Sequence, residues 1–267
     1  MPELPEIEAY RGLAQRALGR RIDAATFGDP RFARGEVSGP RLVRLLRGAT
    51  LRTVRRHGKL LVFDLDAPPG GPAAGHRLGL RFGMTGSLLV DGEAALARLV
   101  FASDRPTTAW DRFVLRFSDG GTLVVRDPRL LGGVELDPDE AALGPDALDI
   151  TAAQLRHALE TSAVAVKTRL MDQRKVAGIG NLIADEVLWR ASLAPQRRSS
   201  SLTTPDQRRL HHHLRATLDD LLQRGGAHLG DLMPARHPGG RCPRDGTELR
   251  HSTVGGRSSW WCPRHQR

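Results

Sequence analysis

The first six residues, Met-Pro-Glu-Leu-Pro-Glu, could carry chemistry. If Met1 is removed, Pro2 becomes the terminus and presents a secondary amine on a rigid ring. An α-amine titrates near pH ~8, so a useful fraction is neutral and nucleophilic at neutral pH. Glu3 and Glu6 would lie within one helical turn of this amine, where a carboxylate can transfer protons. A neutral amine beside carboxylates that transfer protons is suited to attack a carbonyl-like carbon, and the product of that attack is an iminium.

The same residues also fit the ordinary start of a helix. Pro5 suits a first helical position, where a missing N–H costs nothing. Glu6 and Glu8 are favourable near the positive end of a helix. Spacing alone leaves both interpretations open.

The charge balance points to a polyanionic partner. The net charge is +10 and the pI about 11.0, which favours nucleic acid first and a membrane surface second. Almost all the basic residues are arginine, a bias that genomic base composition can produce. Only Lys59, Lys167 and Lys175 are lysine, and we expect such residues where an amine must be able to lose its proton.

Length and patterning limit the class of protein. A chain of 267 residues suits two domains, or one domain with a small appendage. No run of eighteen apolar residues and no basic-then-apolar leader is visible, so we expect a cytoplasmic protein without a membrane span. Cys242 and Cys262 both lie near the end of the chain, and a disulfide between them would be unusual in the cytosol.

The first half of the chain predicts a helix followed by strands. Residues 5–18 have helical apolar spacing, and Gly19 follows as a stop. Residues 21–135 are mostly strand-like, with turn signals at 83–86 and 118–121 and loop-like stretches at 66–75 and 91–109. Short strands with glycine turns favour an antiparallel sandwich or barrel. The predicted strands cover 59–65, 78–82, 87–90, 113–117 and 122–125.

The second half predicts helices at 151–160, 182–190 and 204–224. In the last of these we expect Thr204 as the N-cap, Pro205 at the first position and Gln207 completing a capping box. Leu210, Leu214, Leu218 and Leu221 form its apolar stripe. The histidines at 211–213 point in different directions on a helix, so they indicate a solvated face rather than one metal site. The tail from 237 to 267 predicts a small β-hairpin.

The sequence Gly-Ile-Gly-Asn at 178–181 opens the second of these helices. Two glycines allow close approach of a ligand, and the free N–H groups of a helix start suit a phosphate. A helix–helix turn with a capping asparagine is the alternative.

The tail contains Cys242-x2-Asp245 and Cys262-x2-His265. Two short-spaced pairs across a hairpin are typical of a structural zinc module, with Asp and His as acceptable ligands. Asp-Gly at 245–246 is equally a turn, His237 and His251 are competing ligands, and a metal-free hairpin with two thiols is the alternative. Arg257, near the expected tip, could reach a phosphate.

Over its whole length the chain resembles the Fpg/Nei DNA glycosylases (formamidopyrimidine-DNA glycosylase and endonuclease VIII). The resemblance implies an α+β protein with an N-terminal helix and antiparallel β-sandwich, a helix–two-turn–helix domain and a zinc-finger-like β-hairpin, with DNA in the cleft between the domains. The implied domains are 1–135, 136–235 and 236–267. The matching motifs lie at 1–6, 56–59, 83–87, 127–129, 170–181 and 256–262.

The resemblance implies a bifunctional glycosylase and abasic-site lyase. The damaged nucleotide is flipped out of the duplex. Pro2 attacks C1′ of the sugar, the base leaves, and the Schiff base permits β- and δ-elimination. Glu3 is the implied general acid/base and Glu6 supports the site. Lys59 corresponds to a strand lysine of the family that contacts phosphate and assists proton transfer.

The resemblance also assigns contacts with double-stranded DNA containing oxidised bases or abasic sites. Asn181 and Arg257 would grip phosphates around the lesion, and Arg257 is counted with the catalytic residues as well. Lys167 is expected to contact DNA. The residues expected to fill the gap left by the flipped base are Met84, Arg129 and Leu131. We expect a monomer with no organic cofactor.

Four departures from the family pattern bear on substrate and metal. Leu131 stands where many Fpg members have phenylalanine, and Trp110 where some have a DNA-contacting histidine. The connection from 225 to 242, which normally holds the loop over flipped 8-oxoguanine, is short. The finger has two cysteines instead of four. From the short connection we expect no strong preference for 8-oxoguanine.

Two other functions compete with this interpretation. One is a non-catalytic protein of the same fold that binds lesions or abasic sites. The other is a basic protein that binds RNA or a membrane surface. The small number of aromatic residues and the lack of a basic amphipathic helix disfavour the latter.

Overall fold

The computed structural model describes residues 2–67, 71–96, 107–160 and 162–267. These residues form two compact units. The first comprises Pro2 and Glu6–Glu140, and the second comprises Glu3–Pro5 and Ala141–Arg267. The C-terminal hairpin therefore belongs to the second unit, while the domain bounds at 135/136 and 235/236 stay predictions.

Two helices accompany the first unit. Helix α1 spans Leu4–Ala14 and continues as a 3-10 turn, Gln15–Ala17. It buries Ile7 and Tyr10. Helix α2 spans Gly39–Leu46, inside the region predicted as mostly strand. It forms there because Pro40 suits the helix start, and because Leu42 and Leu46, four residues apart, are both fully buried.

Two antiparallel sheets share one core in this unit. The first sheet has the order β1-β7-β8-β5-β6, and the second β2-β3-β4-β9. Buried residues alternate along β7, β8 and β5, as expected where one face of a sheet is covered. The strands are β1 Ile22–Phe27, β2 Thr50–His57, β3 Leu60–Asp66, β4 Arg77–Arg81, β5 Ser87–Val90, β6 Glu93–Ala94, β7 Asp111–Phe117, β8 Thr122–Arg126 and β9 Gly133–Leu136.

The predicted strand over 59–65 begins one residue later than expected. His57 pairs with Leu60, so Gly58 and Lys59 form a two-residue turn between β2 and β3. Lys59 is therefore a turn residue, not a strand residue. Residues 68–70 and 97–106 of the two predicted loops lie outside the described residues, and Thr108–Trp110 is a short 3-10 helix.

The second unit is helical, with one core that includes Leu4. Its helices are α3 Ala152–Glu160, α4 Val166–Met171, α5 Asn181–Arg190 and α6 Thr204–Arg224. The predicted apolar stripe of α6 is fully buried. Helix α4 was not predicted because six residues are too few to show a helical period.

The start of α6 differs from the prediction by one residue. Thr203, not Thr204, is the N-cap: its hydroxyl accepts from the Asp206 amide, and the Asp206 carboxylate closes the capping box. Thr203-x-x-Asp206 has the required spacing, while Gln207 is buried and donates to the Leu202 carbonyl instead. The predicted solvated histidine face is wrong for His211, whose Nε2 lies 2.8 Å from the Ile150 carbonyl oxygen.

The tail forms the expected hairpin. Strands β10 (Arg250–Val254) and β11 (Arg257–Trp261) pair antiparallel around the glycines at 255–256. A small apolar cluster beneath it includes Trp189, Leu232, Cys242 and Cys262. Within the described ranges no helix has both the length and the apolar character needed to cross a membrane.

Candidate active site

A cavity of about 200 Å³ in the first unit brings predicted site residues together. Pro2, Lys59 and Leu131 all line it, although they come from the terminus, the β2–β3 turn and the segment before β9. The other lining residues are Ile7, Arg81, Phe82 and Gly83. Ile7, Phe82 and Leu131 give this cavity apolar surface beside the proline and the lysine amine.

The turn that carries Lys59 is held by Arg56. Its Nη1 donates to the Gly58 carbonyl at 3.0 Å, and its Nε donates to Glu8 Oε2 at 3.1 Å. Glu8 lies on α1, so the helix that follows Pro2 and the turn that carries Lys59 are joined by an ion pair.

A buried carboxylate from the motif at 127–129, to which the sequence assigned no role of its own, organises the predicted gap-filling residues. Asp127 is fully buried, and its Oδ1 accepts the Thr85 hydroxyl at 2.7 Å. Its oxygens also accept the backbone N–H groups of Arg129 at 3.1 Å and Leu131 at 2.9 Å. The turn containing Met84 and the loop containing Arg129 and Leu131 are thus tied to one group. An aspartate that directly precedes a proline-started turn was the available signal.

Arg129 and Leu131 are exposed, and 49% of the Leu131 surface is accessible. An apolar side chain held out by backbone hydrogen bonds is suited to enter a base stack.

Glu3, in the second unit, is fully buried at the start of α5. Its Oε1 accepts the Leu182 N–H at 2.8 Å, and its Oε2 accepts the Ile183 N–H at 3.1 Å. The predicted phosphate site at this helix start is therefore filled by the chain's own carboxylate. The asparagine is not the cap either, because Gly180 is the N-cap and Asn181 the first helical residue.

Gly180 is required by this carboxylate. A Cβ at this position would lie 2.2 Å from Cδ of Glu3 and 2.5 Å from its Oε1. The glycine in the motif therefore admits Glu3 rather than an external ligand.

Glu6 is buried in the first unit, near the phenol of Tyr10. Burial raises the pKa of Tyr10 far above its ordinary value, and the charge of Glu6 raises it further. The Tyr10 hydroxyl donates to the Gly86 carbonyl at 3.1 Å and so fixes α1 beside the turn of Met84.

The two predicted phosphate grips lie in the second unit. Asn181 is half-buried, and its Oδ1 has no hydrogen-bond partner among the described residues. Arg257 is exposed at the first position of β11.

The predicted DNA contact of Lys167 is wrong. Its ammonium is fully buried, 2.7 Å from Asp185 Oδ1, and donates to the Ser258 carbonyl at 2.8 Å. Burial lowers the pKa of Lys167, and the nearby Asp185 opposes that shift. An amine enclosed in this way is not presented to a phosphate.

The predicted metal ligands Cys242, Asp245, Cys262 and His265 converge. Their ligand atoms all lie within 4.8 Å of one another. Nδ1 of His265 is 3.0 Å from Asp245 Oδ2 and 3.8 Å from Cys242 Sγ, and Cys262 Sγ is 3.4 Å from the same Oδ2. A tetrahedral zinc with ordinary bond lengths would separate its ligand atoms by roughly 3.2–3.8 Å.

The surroundings of this cluster also suit a metal. The imidazole of His265 holds the pKa of the Asp245 carboxyl well below its usual range. The indole N–H of Trp189 lies 3.3 Å from Cys242 Sγ. The competing histidines do not join the cluster, because His237 contacts the Pro238 carbonyl and His251 the Ser258 hydroxyl.

Comparison with known proteins decides the family. A model of the formamidopyrimidine-DNA glycosylase N-terminal domain matches residues 1–134, and a model of the H2TH domain of the same enzymes matches 142–231. The chain belongs to the formamidopyrimidine-DNA glycosylase family. It is 35% identical to the formamidopyrimidine-DNA glycosylase of Xanthomonas campestris pv. campestris (strain B100), with all of both chains covered. It is 36% identical to that of Salinispora arenicola (strain CNS-205), with 100% of this chain and 96% of the relative covered.

Solved structures of this family share the fold. The Lactococcus lactis Fpg in complex with DNA containing an abasic site is 26% identical, with a TM-score of 0.81 over 99% of each chain. The same enzyme with DNA containing Fapy-dG gives a TM-score of 0.82 at 26% identity, over 99% of this chain and 100% of that one. The chain is thus a member of a family of DNA glycosylases with the α+β fold expected from its sequence.

The Gly180→Ala variant tests the position of Glu3. The new methyl group must displace the Glu3 carboxylate, so we expect base excision from lesion DNA to fall at least roughly a hundredfold while the fold is kept. Gly12→Ala is the matched control, because nothing lies within 4 Å of a Cβ there. Single-turnover excision rates and thermal melting would be measured on both. Unchanged excision by Gly180→Ala would show that base excision does not depend on the Glu3 carboxylate lying at the start of α5.

Proposed function

We propose that this protein is a base-excision-repair DNA glycosylase that also cuts the strand as an abasic-site lyase, through a Schiff base on Pro2. The observation that carries the proposal is the cavity of the first unit, which Pro2 lines together with Lys59 and Leu131. It supplies the three parts that such a reaction requires in one place: a nucleophile, an amine that can move protons, and a wedge that replaces a flipped base.

The reaction begins at the sugar of the flipped nucleotide. After removal of Met1, the Pro2 nitrogen forms a bond to C1′ as the bond from C1′ to the base breaks, and the departing base takes a proton. Opening of the sugar ring gives an iminium between Pro2 and C1′. Glu3 follows Pro2 in the chain and acts as the general acid/base of these steps.

The iminium makes the C2′ hydrogen acidic, because the electrons it leaves can move onto the positive nitrogen. Loss of that proton expels the 3′ phosphate, and a second elimination expels the 5′ phosphate. Lys59 contacts a phosphate and assists proton transfer. Glu6 supports the site from within α1, where it is buried beside Tyr10.

The second unit supplies the grip on the strand in this proposal. Asn181 and Arg257 contact the phosphates around the lesion, and both are held in place by the fold around α5 and β11. The Asn181 amide suits this role because its NH2 group is a donor that a phosphate oxygen can accept. Met84, Arg129 and Leu131 of the first unit occupy the space left by the flipped base.

A structural zinc fits the Cys242, Asp245, Cys262 and His265 cluster by ligand chemistry and by spacing. Bound there, it would tie the segment before β10 to the segment after β11. It takes no part in the reaction.

The lesion preference follows from the segment between α6 and β10. Two 3-10 turns, Ala227–Leu229 and Met233–Ala235, occupy much of it. Glu186 of α5 accepts the N–H groups of Asp231 at 3.1 Å and Leu232 at 2.9 Å, which fixes the segment to the helix. It therefore provides little chain for a cover over a flipped 8-oxoguanine.

Borohydride trapping tests the nucleophile. We expect a covalent adduct with abasic and oxidised DNA, because reduction turns the Schiff base into a stable amine. Pro2→Gly should reduce trapping at least roughly tenfold. Intact mass of the active protein provides the control, since retained Met1 with full lyase activity would exclude Pro2. Wild-type protein that binds lesion duplex without trapping or cutting would identify a lesion-binding protein instead.

Metal analysis tests the finger. We expect about one equivalent of zinc per chain, and tetrahedral absorption bands after cobalt exchange. Asp245→Asn and His265→Gln should each lower metal content and the melting temperature. His251→Gln, which changes a histidine of the same hairpin outside the cluster, should leave both unchanged. Equal metal content in all these variants would contradict this ligand set.

An oligonucleotide panel tests the substrate. We expect cutting at plain abasic sites throughout. Hydantoin, formamidopyrimidine or oxidised pyrimidine lesions should be excised faster than 8-oxoguanine, by roughly tenfold or more. The reason is that the short segment between α6 and β10 provides little chain to cover a flipped 8-oxoguanine. Rates would be measured under single turnover with each opposite base. Faster excision of 8-oxoguanine opposite cytosine would refute the argument from the short segment.

A further inference from the structure

A buried charged cluster lies under the C-terminal hairpin. Asp185 of α5 is 1% exposed, and its Oδ1 lies 2.7 Å from the Lys167 ammonium. Its Oδ2 pairs with the Arg236 guanidinium. Two cations and one anion are thus removed from water together, an arrangement that depends on exact geometry for its stability.

The same carboxylate binds strand β11 directly. The hydroxyl of Ser259 donates to Asp185 Oδ1 at 2.8 Å, and the backbone N–H of Trp260 donates to Oδ2 at 3.2 Å. Lys167 extends the attachment by donating to the Ser258 carbonyl at 2.8 Å. Three consecutive residues of β11 are therefore held by one cluster.

The turn before β11 is fixed as well. A Cβ at Gly255 would lie 2.4 Å from Oγ1 of Thr168, so the turn lies directly against α4. Arg257 sits between this close contact and the three anchored residues. A two-stranded hairpin alone is marginally stable, so these contacts determine where the Arg257 backbone lies.

Helix α5 relates this anchor to the other phosphate grip. Asp185 follows Asn181 by four residues, so the two side chains lie on the same side of the helix. A cluster attached to α5 therefore fixes the position of Arg257 relative to Asn181. An apolar contact of equal area would lack the directional bonds that set this position.

We propose that Asp185 is a positioning residue for DNA binding: it locks strand β11 onto helix α5 and so fixes the position of Arg257 relative to Asn181. This rests on the proposed function, in which those two residues grip the strand. Asp185 itself does not contact DNA. Lys167 of α4 and Arg236 of the segment before β10 pair with its carboxylate and complete the attachment.

The sharpest test compares two serines that face each other across the hairpin. Ser259 pairs with Ser252 in the β10–β11 register. Ser259 donates to Asp185, whereas the Ser252 hydroxyl is buried without a partner in the described structure. Ser259→Ala removes one bond of the lock and leaves no buried charge unpaired. Ser252→Ala is the matched control.

Affinity for a duplex with a reduced abasic site would be measured for each variant, alone and combined with Arg257→Ala. We expect Ser259→Ala to weaken binding roughly tenfold and Asp185→Asn more. Ser252→Ala should bind as the wild type does. With Arg257 already replaced, Ser259→Ala should have almost no further effect, because strand β11 then carries no residue that grips DNA and Asn181 keeps its place on α5. Hydrogen exchange should accelerate at residues 257–261 in Ser259→Ala.

Equal losses with and without Arg257 would overturn the proposal, as would unchanged affinity in Ser259→Ala. If Asp185→Asn fails to fold, the serine pair still decides. Binding, not cutting, is the readout, so a protein that binds but forms no Schiff base would refute the lyase alone. Wild-type protein that fails to bind the duplex would refute both.

Discussion

The bond between Glu3 and the first turn of α5 is the interaction on which the candidate site depends. A fully buried carboxylate is costly unless its oxygens are hydrogen-bonded. A helix start has the complementary need, because its first N–H groups have no partner within the helix. Leu182 and Ile183 supply the donors and Glu3 the acceptor. The carboxylate and the helix start therefore satisfy each other within the second unit.

Helix α5 also holds other segments of the second unit through polar side chains along its length. Leu182 to Trp189 are all buried, so the helix is covered on every side and its two acidic side chains must find hydrogen-bond partners in the core. Asp185 and Glu186 are adjacent and point in different directions. The first holds β11, and the second holds the segment before β10 through Asp231 and Leu232. One helix therefore sets the positions of Glu3, Asn181 and Arg257.

Local pattern predicted local structure well. Strands β5 and β8, the stripe of α6 and the hairpin follow from period and turn residues within a few positions. The family motifs indicated the chemistry of Pro2 and the ligands of the finger. What failed depends on distant contacts. Glu3 and Leu182 are 179 residues apart, so the sequence alone offered a phosphate or a capping asparagine at that helix start and not the Glu3 carboxylate. Thr203 with Asp206 and Thr204 with Gln207 both have the spacing of a capping box. Gln207 does not close one because its side chain is buried and donates to the Leu202 carbonyl.

Two of the three lysines show that one argument from composition can have two different outcomes. Their retention among so many arginines suggested amines that must lose a proton. Lys59 suits that idea, since it lines a cavity with Pro2. Lys167 has another reason to be lysine. Its ammonium must reach both Asp185 and the Ser258 carbonyl from inside α4, while Arg236 already fills the other side of the carboxylate. A compact head with three donors fits that space, whereas a planar guanidinium needs a broader one. At these two positions lysine is retained because arginine would not serve. The burial and the hydrogen-bond partners of each lysine show whether the reason is proton transfer or the shape of the space.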